Sequence, residues 1–184
     1  SSVSNTRFFA GICDPVWTSL LVFGVAGLKE VAANVRSTIL LNLLSYMTDK
    51  LLIEGNTVAA LDELYIWLGN PVAVEYIRNA LKRVRKKNSA MLMASQNVED
   101  FDRPGVREMT KPLFSIPPHQ FLFNCGTVNK KEFMDLLQLE ESEFNIIQAP
   151  HKGECLYKCG NERYDLLVTA PAYKEKLFGK AGGR

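Results

Sequence analysis

The sequence has no apolar run long enough to cross a bilayer. Its two most apolar stretches, residues 20–27 and 39–44, fall well short of the roughly 20 residues that a spanning helix needs. It also lacks a charged-then-apolar opening, because residues 1–7 are mostly polar, so no signal peptide is expected there. No internal repeat and no low-complexity segment is present, which argues against an array or a linker-like chain. Histidine is scarce. His119 and His151 each stand alone, with no nucleophile or ligand set nearby, so neither a catalytic triad nor a metal centre is expected. The four cysteines, Cys13, Cys125, Cys155 and Cys159, are too sparse for a disulfide-built scaffold. The Cys155–Cys159 spacing has no second Cys/His pair to complete a zinc site, so these residues read as ordinary thiols of a reducing cytoplasm. Charge of one sign is missing too: the formal net charge is +2, too small to argue for nucleic acid without local clustering.

What remains is an ordinary globular composition, 47% hydrophobic and 23% charged over 184 residues. That length suits one domain or a large piece of one.

The first strong signal is the apolar run 20–26, closed by Gly27, which predicts a buried strand. A helical stripe follows through Leu28, Val31, Val35, Ile39, Leu43, Met47 and Leu51. After a Gly55-Asn56 turn, residues 58–64 predict a second apolar strand that ends in Asp62 and Glu63. Asn70 and Pro71 suit the cap and first turn of a helix whose apolar stripe is Val74, Ile77, Leu81 and Val84. A third strand, 90–96, ends in Ser95-Gln96. Alternation of this kind predicts a mostly parallel α/β sheet flanked by helices. Residues 100–118, rich in proline and charge, read as loop with a short helix, and 119–125 as a further strand. Asn129 caps a helix through Phe133, Leu136 and Leu137, Ser142 starts another, and strands around Gly160-Asn161 form a C-terminal β-hairpin. A terminal helix covers 171–178. Residues 1–19 are an irregular lead-in, 20–126 the α/β core, 127–178 the C-terminal helices and hairpin, and 179–184 a frayed tail.

The chemistry concentrates at strand ends. Adjacent acids at the carboxyl end of a buried strand supply a carboxylate for Mg²⁺ and a second group to orient an attacking water, in the crevice where open α/β sheets bind ligands. Two acids opening a solvent loop is the bland alternative. If the third strand lies beside the second, Gln96 comes near Asp62 and Glu63, and its amide is suited to sensing a γ-phosphate or placing the water. Between them lies a basic helix. Glu75, Arg78, Lys82 and Arg85 share one face at helical spacing, and Arg83, Lys86 and Lys87 add to the charge. A solvated face explains most of these residues. The functional readings are an arginine that reaches a neighbouring subunit's nucleotide, or contact with nucleic-acid phosphates. Trp17, Tyr65 and Trp67 read as packing.

Three stretches together carry a family resemblance: Ala60-Leu61-Asp62-Glu63, the arginine-lysine segment 83–88, and Ala94-Ser95-Gln96-Asn97-Val98-Glu99-Asp100-Phe101. From about Leu20 onward the sequence resembles the motor ATPases of type IV secretion, the family of the fourth VirB protein with its TraE- and TraC-like conjugation relatives. These are RecA-like P-loop proteins grouped with the HerA and FtsK translocases. The resemblance implies the C-terminal part of a RecA-like ATPase domain. In it Asp62 holds Mg²⁺ of bound ATP through water, Glu63 activates water, Gln96 is the motif glutamine, and Arg85, eleven residues before it, acts across a subunit interface. Arg83 is an alternative for that last role. It further implies a homo-hexamer, other type IV secretion components as partners, and a position at the cytoplasmic face of the inner membrane. The departure from the family is the phosphate-binding loop: no Gly-x-x-x-x-Gly-Lys-[Ser/Thr] occurs anywhere. In the family that loop lies upstream of the matching region, so the chain is expected to be a piece of a longer protein or a degenerate relative, inactive by itself. A DNA-translocating coupling-protein or HerA-like pump, and a non-enzymatic assembly module, are the competing readings.

Overall fold

The computed structural model describes residues 20–96, 101 and 107–179. Strands β1 (Val58–Leu61) and β2 (Ala90–Met93) run parallel, in register from Val58↔Ala90 to Leu61↔Met93. Their connection holds a single turn, α2 (Tyr65–Leu68), and a long helix, α3 (Pro71–Arg83). This is the crossover that parallel pairing demands. Asn70 caps α3 as expected: its Oδ1 accepts from the Val72 and Ala73 amides at 3.0 and 3.4 Å, with Pro71 at the first helical position. The apolar side of α3 meets α1 (Ala33–Thr48) in the main core, which holds Leu40, Leu43, Leu44, Trp67, Ala73, Val74 and Ile77. Ile77 is fully enclosed there. Ile77→Ala leaves a cavity that the neighbours cannot fill, and it is expected to lower the unfolding free energy by about 2–5 kcal/mol in a urea titration.

At its start β1 is clamped to β2. The Asn56 amide donates to the Lys87 carbonyl (3.0 Å), and Asn88 Nδ2 donates to Asn56 Oδ1 (2.7 Å). Gly55, at φ +78°, lies so close that a β-carbon would meet the Lys87 carbonyl oxygen at 2.6 Å. Only glycine combines that φ with that approach.

Two expectations for this region are corrected. Residues 20–25 form no strand; a 3-10 turn, Ala26–Glu30, follows them, and Leu20 and Val22 are exposed. An apolar run becomes a strand only with a ladder partner, and among the described residues β1 and β2 pair only with each other. The buried face of α1 also differs from the proposed stripe. The helix begins at Ala33, buries Leu40, Leu43 and Leu44, and leaves Val35 exposed. A wide π turn, Asp49–Glu54, then carries Leu51 and Leu52 onto Val84 in a small satellite core.

The sheet is also less parallel than the alternation predicts. β3 (His119–Leu122) joins the hairpin strands β4 (Glu154–Cys159) and β5 (Glu162–Leu167) in an antiparallel sheet of order β3-β4-β5. The hairpin turn at Gly160-Asn161 falls where the sequence puts it, with Gly160 at φ +59°. Helices α5 (Lys130–Leu137) and α6 (Glu141–Gln148) pack Phe133, Leu137, Phe144 and Ile147 against Leu156 of β4. The Asn129 side chain caps α5. Glu140, rather than Ser142, opens α6, because Glu143 reaches back to the Glu140 amide (2.8 Å) to close a capping box. Lys158, buried beneath the sheet, donates to the Leu137 carbonyl at 2.6 Å and so closes the end of α5. Burial holds its ammonium below the usual lysine range.

Helix α4 (Arg107–Ser115) lies between the two halves. Thr110, fully buried, donates to the Phe101 carbonyl (2.6 Å), and Phe101 meets Phe114 edge to face at 4.6 Å. Among the described residues Phe114 is the one hydrophobic side chain packed against both the main core and the Leu156 cluster. A terminal helix, α7 (Ala172–Phe178), buries none of its residues.

Candidate functional site

β1 ends on Leu61, which is buried, and the chain then leaves the sheet through Asp62 and Glu63. The Ala94 amide donates to the Leu61 carbonyl, and the Leu64 amide donates to the Ala94 carbonyl, each at 2.9 Å. These two bonds fold the chain after β1 across the end of β2. Glu63 makes the bend with φ +55°, a left-handed conformation that costs a non-glycine residue roughly 1–2 kcal/mol. Asp62 supports it by accepting the Glu63 amide on Oδ1 at 3.0 Å, which leaves the rest of an exposed carboxylate pointing to solvent.

The bend aims Glu63 at Gln96, three residues beyond β2. Gln96 Nε2 donates to Glu63 Oε1 at 3.1 Å. The acids and the amide thus share one lip of one sheet, as the sequence anticipates. Among the described residues no three His, Cys, Asp or Glu side chains form a metal-binding group. That donor set fits Mg²⁺ in one way: this ion keeps several waters and takes one or two carboxylates plus substrate phosphates.

The basic residues lie elsewhere. α3 runs back from the carboxyl edge of the sheet to its amino edge, so Lys82, Arg83 and Arg85 stand beside the start of β1, next to the Asn56–Lys87 and Asn56–Asn88 bonds. Four strand residues, about 13 Å at 3.3 Å each, separate that edge from Glu63. Arg78 sits midway along α3, half-buried, with its Nε buried and unpaired. The helix under Glu75, Arg78, Lys82 and Arg85 changes type at its end. A 3-10 turn, Val84–Lys87, replaces the α-helix after Arg83 and carries Arg85.

Of the motif stretch after Gln96, residues 97–100 lie outside the described residues, as does Trp17; Phe101 is core. Trp67 is buried packing. Cys125, Cys155 and Cys159 are free thiols, and burial pushes the first two up in pKa. One polar cluster escapes sequence reasoning. Tyr157 hydroxyl lies 2.8 Å from His119 Nδ1, and the Tyr157 ring stacks on Phe121 at 4.5 Å. Only the pairing of β3 with β4, which no spacing in the sequence specifies, brings these residues together.

No family model matches the sequence. It is 32% identical over 64% of its length to a probable conjugal transfer protein, TrbE, of Sinorhizobium fredii, of which it covers 18%. It is 30% identical over 55% of its length to the type IV secretion system protein CagE of Helicobacter pylori, covering 10% of that protein. The fold agrees: VirB4 of Thermoanaerobacter pseudethanolicus superposes over 84% of this chain with a TM-score of 0.74 at 28% identity.

The chain is a relative of the VirB4/TrbE-type proteins of type IV secretion. It spans less than a fifth of the length of these curated relatives and 43% of the VirB4 chain. The α/β arrangement with parallel strands and crossover helix is shared with VirB4. Among the described residues no helix is long and apolar enough to cross a membrane.

Proposed function

We propose that this chain is the carboxylate-bearing, C-terminal part of a RecA-like ATP-hydrolysing motor in a VirB4/TrbE-type protein of type IV secretion or conjugative transfer. The observation that carries the reading is the 3.1 Å bond between Gln96 and Glu63 at adjoining carboxyl ends of two parallel strands. Hydrolysis of a phosphoanhydride needs a base for the attacking water, a carboxylate near the metal, and a group that responds to the γ-phosphate. Glu63 takes the proton from the water. Asp62, exposed on the same lip, holds Mg²⁺ through water, and that ion supplies charge neutralisation to the phosphates when bound. Gln96 orients the Glu63 carboxylate with one amide hydrogen and leaves its other polar groups for water or phosphate. The β- and γ-phosphates are cradled by a loop from the rest of the parent protein, since the sequence contains none.

Arg85 stands at the opposite edge from Glu63, so in this reading it serves a neighbouring subunit's nucleotide within a hexamer at the cytoplasmic face of the membrane. Asp62 gives the most specific test. In the full-length parent, Asp62→Asn keeps an oxygen for the Glu63 amide but weakens the hold on the hydrated ion. The Mg²⁺ concentration for half-maximal ATP hydrolysis is expected to rise about 10–100-fold. An unchanged Mg²⁺ titration removes Asp62 from the metal.

A further inference from the structure

We infer that Thr110 is a positioning residue for Gln96, and through it for the Glu63 carboxylate, because it fixes the far end of the short chain segment that follows Gln96. The inference rests on the nucleotide reading of Glu63 and Gln96. Gln96 lies beyond Ala94, whose amide and carbonyl are both tied to the chain at the end of β1. Its side chain is exposed and reaches Glu63 Oε1 at 3.1 Å. Among the described residues the next fixed point is Phe101, which is held in two ways. Its ring lies in the main core, edge to face with Phe114. Its carbonyl accepts the Thr110 hydroxyl in a buried bond of 2.6 Å. The Arg107 carbonyl, at 3.2 Å, is the more distant acceptor for the same hydrogen. Thr110 is fully enclosed, and Leu113 of the same helix sits in the main core, so the donor is firmly placed.

Only residues 97–100 separate Gln96 from Phe101. A chain closed at both ends has fewer arrangements open to it the shorter it is. A buried carbonyl that loses its donor is costly to leave in place, so Phe101 would shift to find another. The next described anchor is Arg107, where α4 starts, and moving the closure there about doubles the chain left between fixed points. Gln96 then spends less time against Glu63, and the carboxylate that takes the proton from water is less well aimed. Packing alone would need the volume of Thr110 but not its hydroxyl, and this difference can be measured.

The test is steady-state ATP hydrolysis by the full-length parent. Thr110→Val keeps the outline of the side chain and removes the donor. It should lower kcat by about 10–100-fold, the loss that a misplacement of about 1 Å can cause. The KM for ATP should stay within about twofold of the parent's, because the binding contacts are untouched. Thr110→Ser keeps the donor and loses the methyl, and it should turn over as the parent does. If the valine variant does not fold, Thr110→Ala set against Thr110→Ser gives the same comparison, since those two differ by the hydroxyl alone. A double-mutant cycle reads the route through Gln96: in a Gln96→Ala background, Thr110→Val should cost nothing further. A valine variant with parental kcat, a serine variant as slow as the valine one, or full additivity with Gln96→Ala overturns the inference and leaves the role of Gln96 standing. Parental turnover in Gln96→Ala itself overturns the nucleotide reading of Gln96, and the inference falls with it.

Discussion

In the full-length parent, Glu63→Gln is expected to lower the ATP hydrolysis rate by about 10²–10⁴-fold, the range supplied by a positioned general base. Nucleotide binding should survive. The substitution keeps the side chain's shape and an acceptor for the Gln96 amide, whose bond to Glu63 Oε1 spans 3.1 Å. It also leaves the left-handed bend at φ +55° and the Leu64–Ala94 bond that shapes it. What is lost is the ability to accept a proton. Steady-state hydrolysis and equilibrium nucleotide binding, measured side by side, separate the two. A variant with parental turnover takes Glu63 out of the base role, and one that no longer binds nucleotide points to a fault in the fold instead.

The second large effect concerns a residue far from its own site. Arg85→Ala in the same parent is expected to cut hydrolysis by about 10³–10⁵-fold if the guanidinium stabilises charge on a neighbour's phosphates. The edge-to-edge separation of the sheet gives this a sharper signature than a rate alone. Mixing Arg85→Ala subunits with Glu63→Gln subunits creates interfaces in which an intact Glu63 faces an intact Arg85. Activity should return in the mixture although each variant is inactive by itself. A mixture as inactive as its components excludes action in trans by this residue. Arg83→Ala is the comparison, because its side chain belongs to the Leu52 pocket.

The sequence anticipates the meeting of Glu63 and Gln96 more fully than the fold around them. Asp62, Glu63 and Gln96 are legible because β1 and β2 are each short apolar runs with polar residues at their ends, and because the Asn70-Pro71 start marks a crossover helix between them. Parallel pairing then follows, and parallel pairing alone puts both ends on one lip. Residues 20–25 mislead for the same physical reason that β1 and β2 do not. An apolar run records that a segment avoids water, not which partner it finds. The register of α1 slips because apolar residues occur almost all round it, so spacing does not choose between Val35 and Leu40. The place of β3 could not be read, since joining the hairpin is a long-range pairing between His119–Leu122 and the distant Leu156–Cys159. The tightening of the α-helix into a 3-10 turn at Val84–Lys87 is a change of pitch with no distinct residue signal.

Phe114 has a mechanical meaning. Among the described residues, this aromatic ring is the hydrophobic side chain that the main core beneath β1 and β2 shares with the cluster beneath the hairpin sheet, and Phe101 holds it edge-on. Two clusters that share this little apolar packing among the described residues can open separately, so hydrogen exchange in the two sheets should show distinct opening energies.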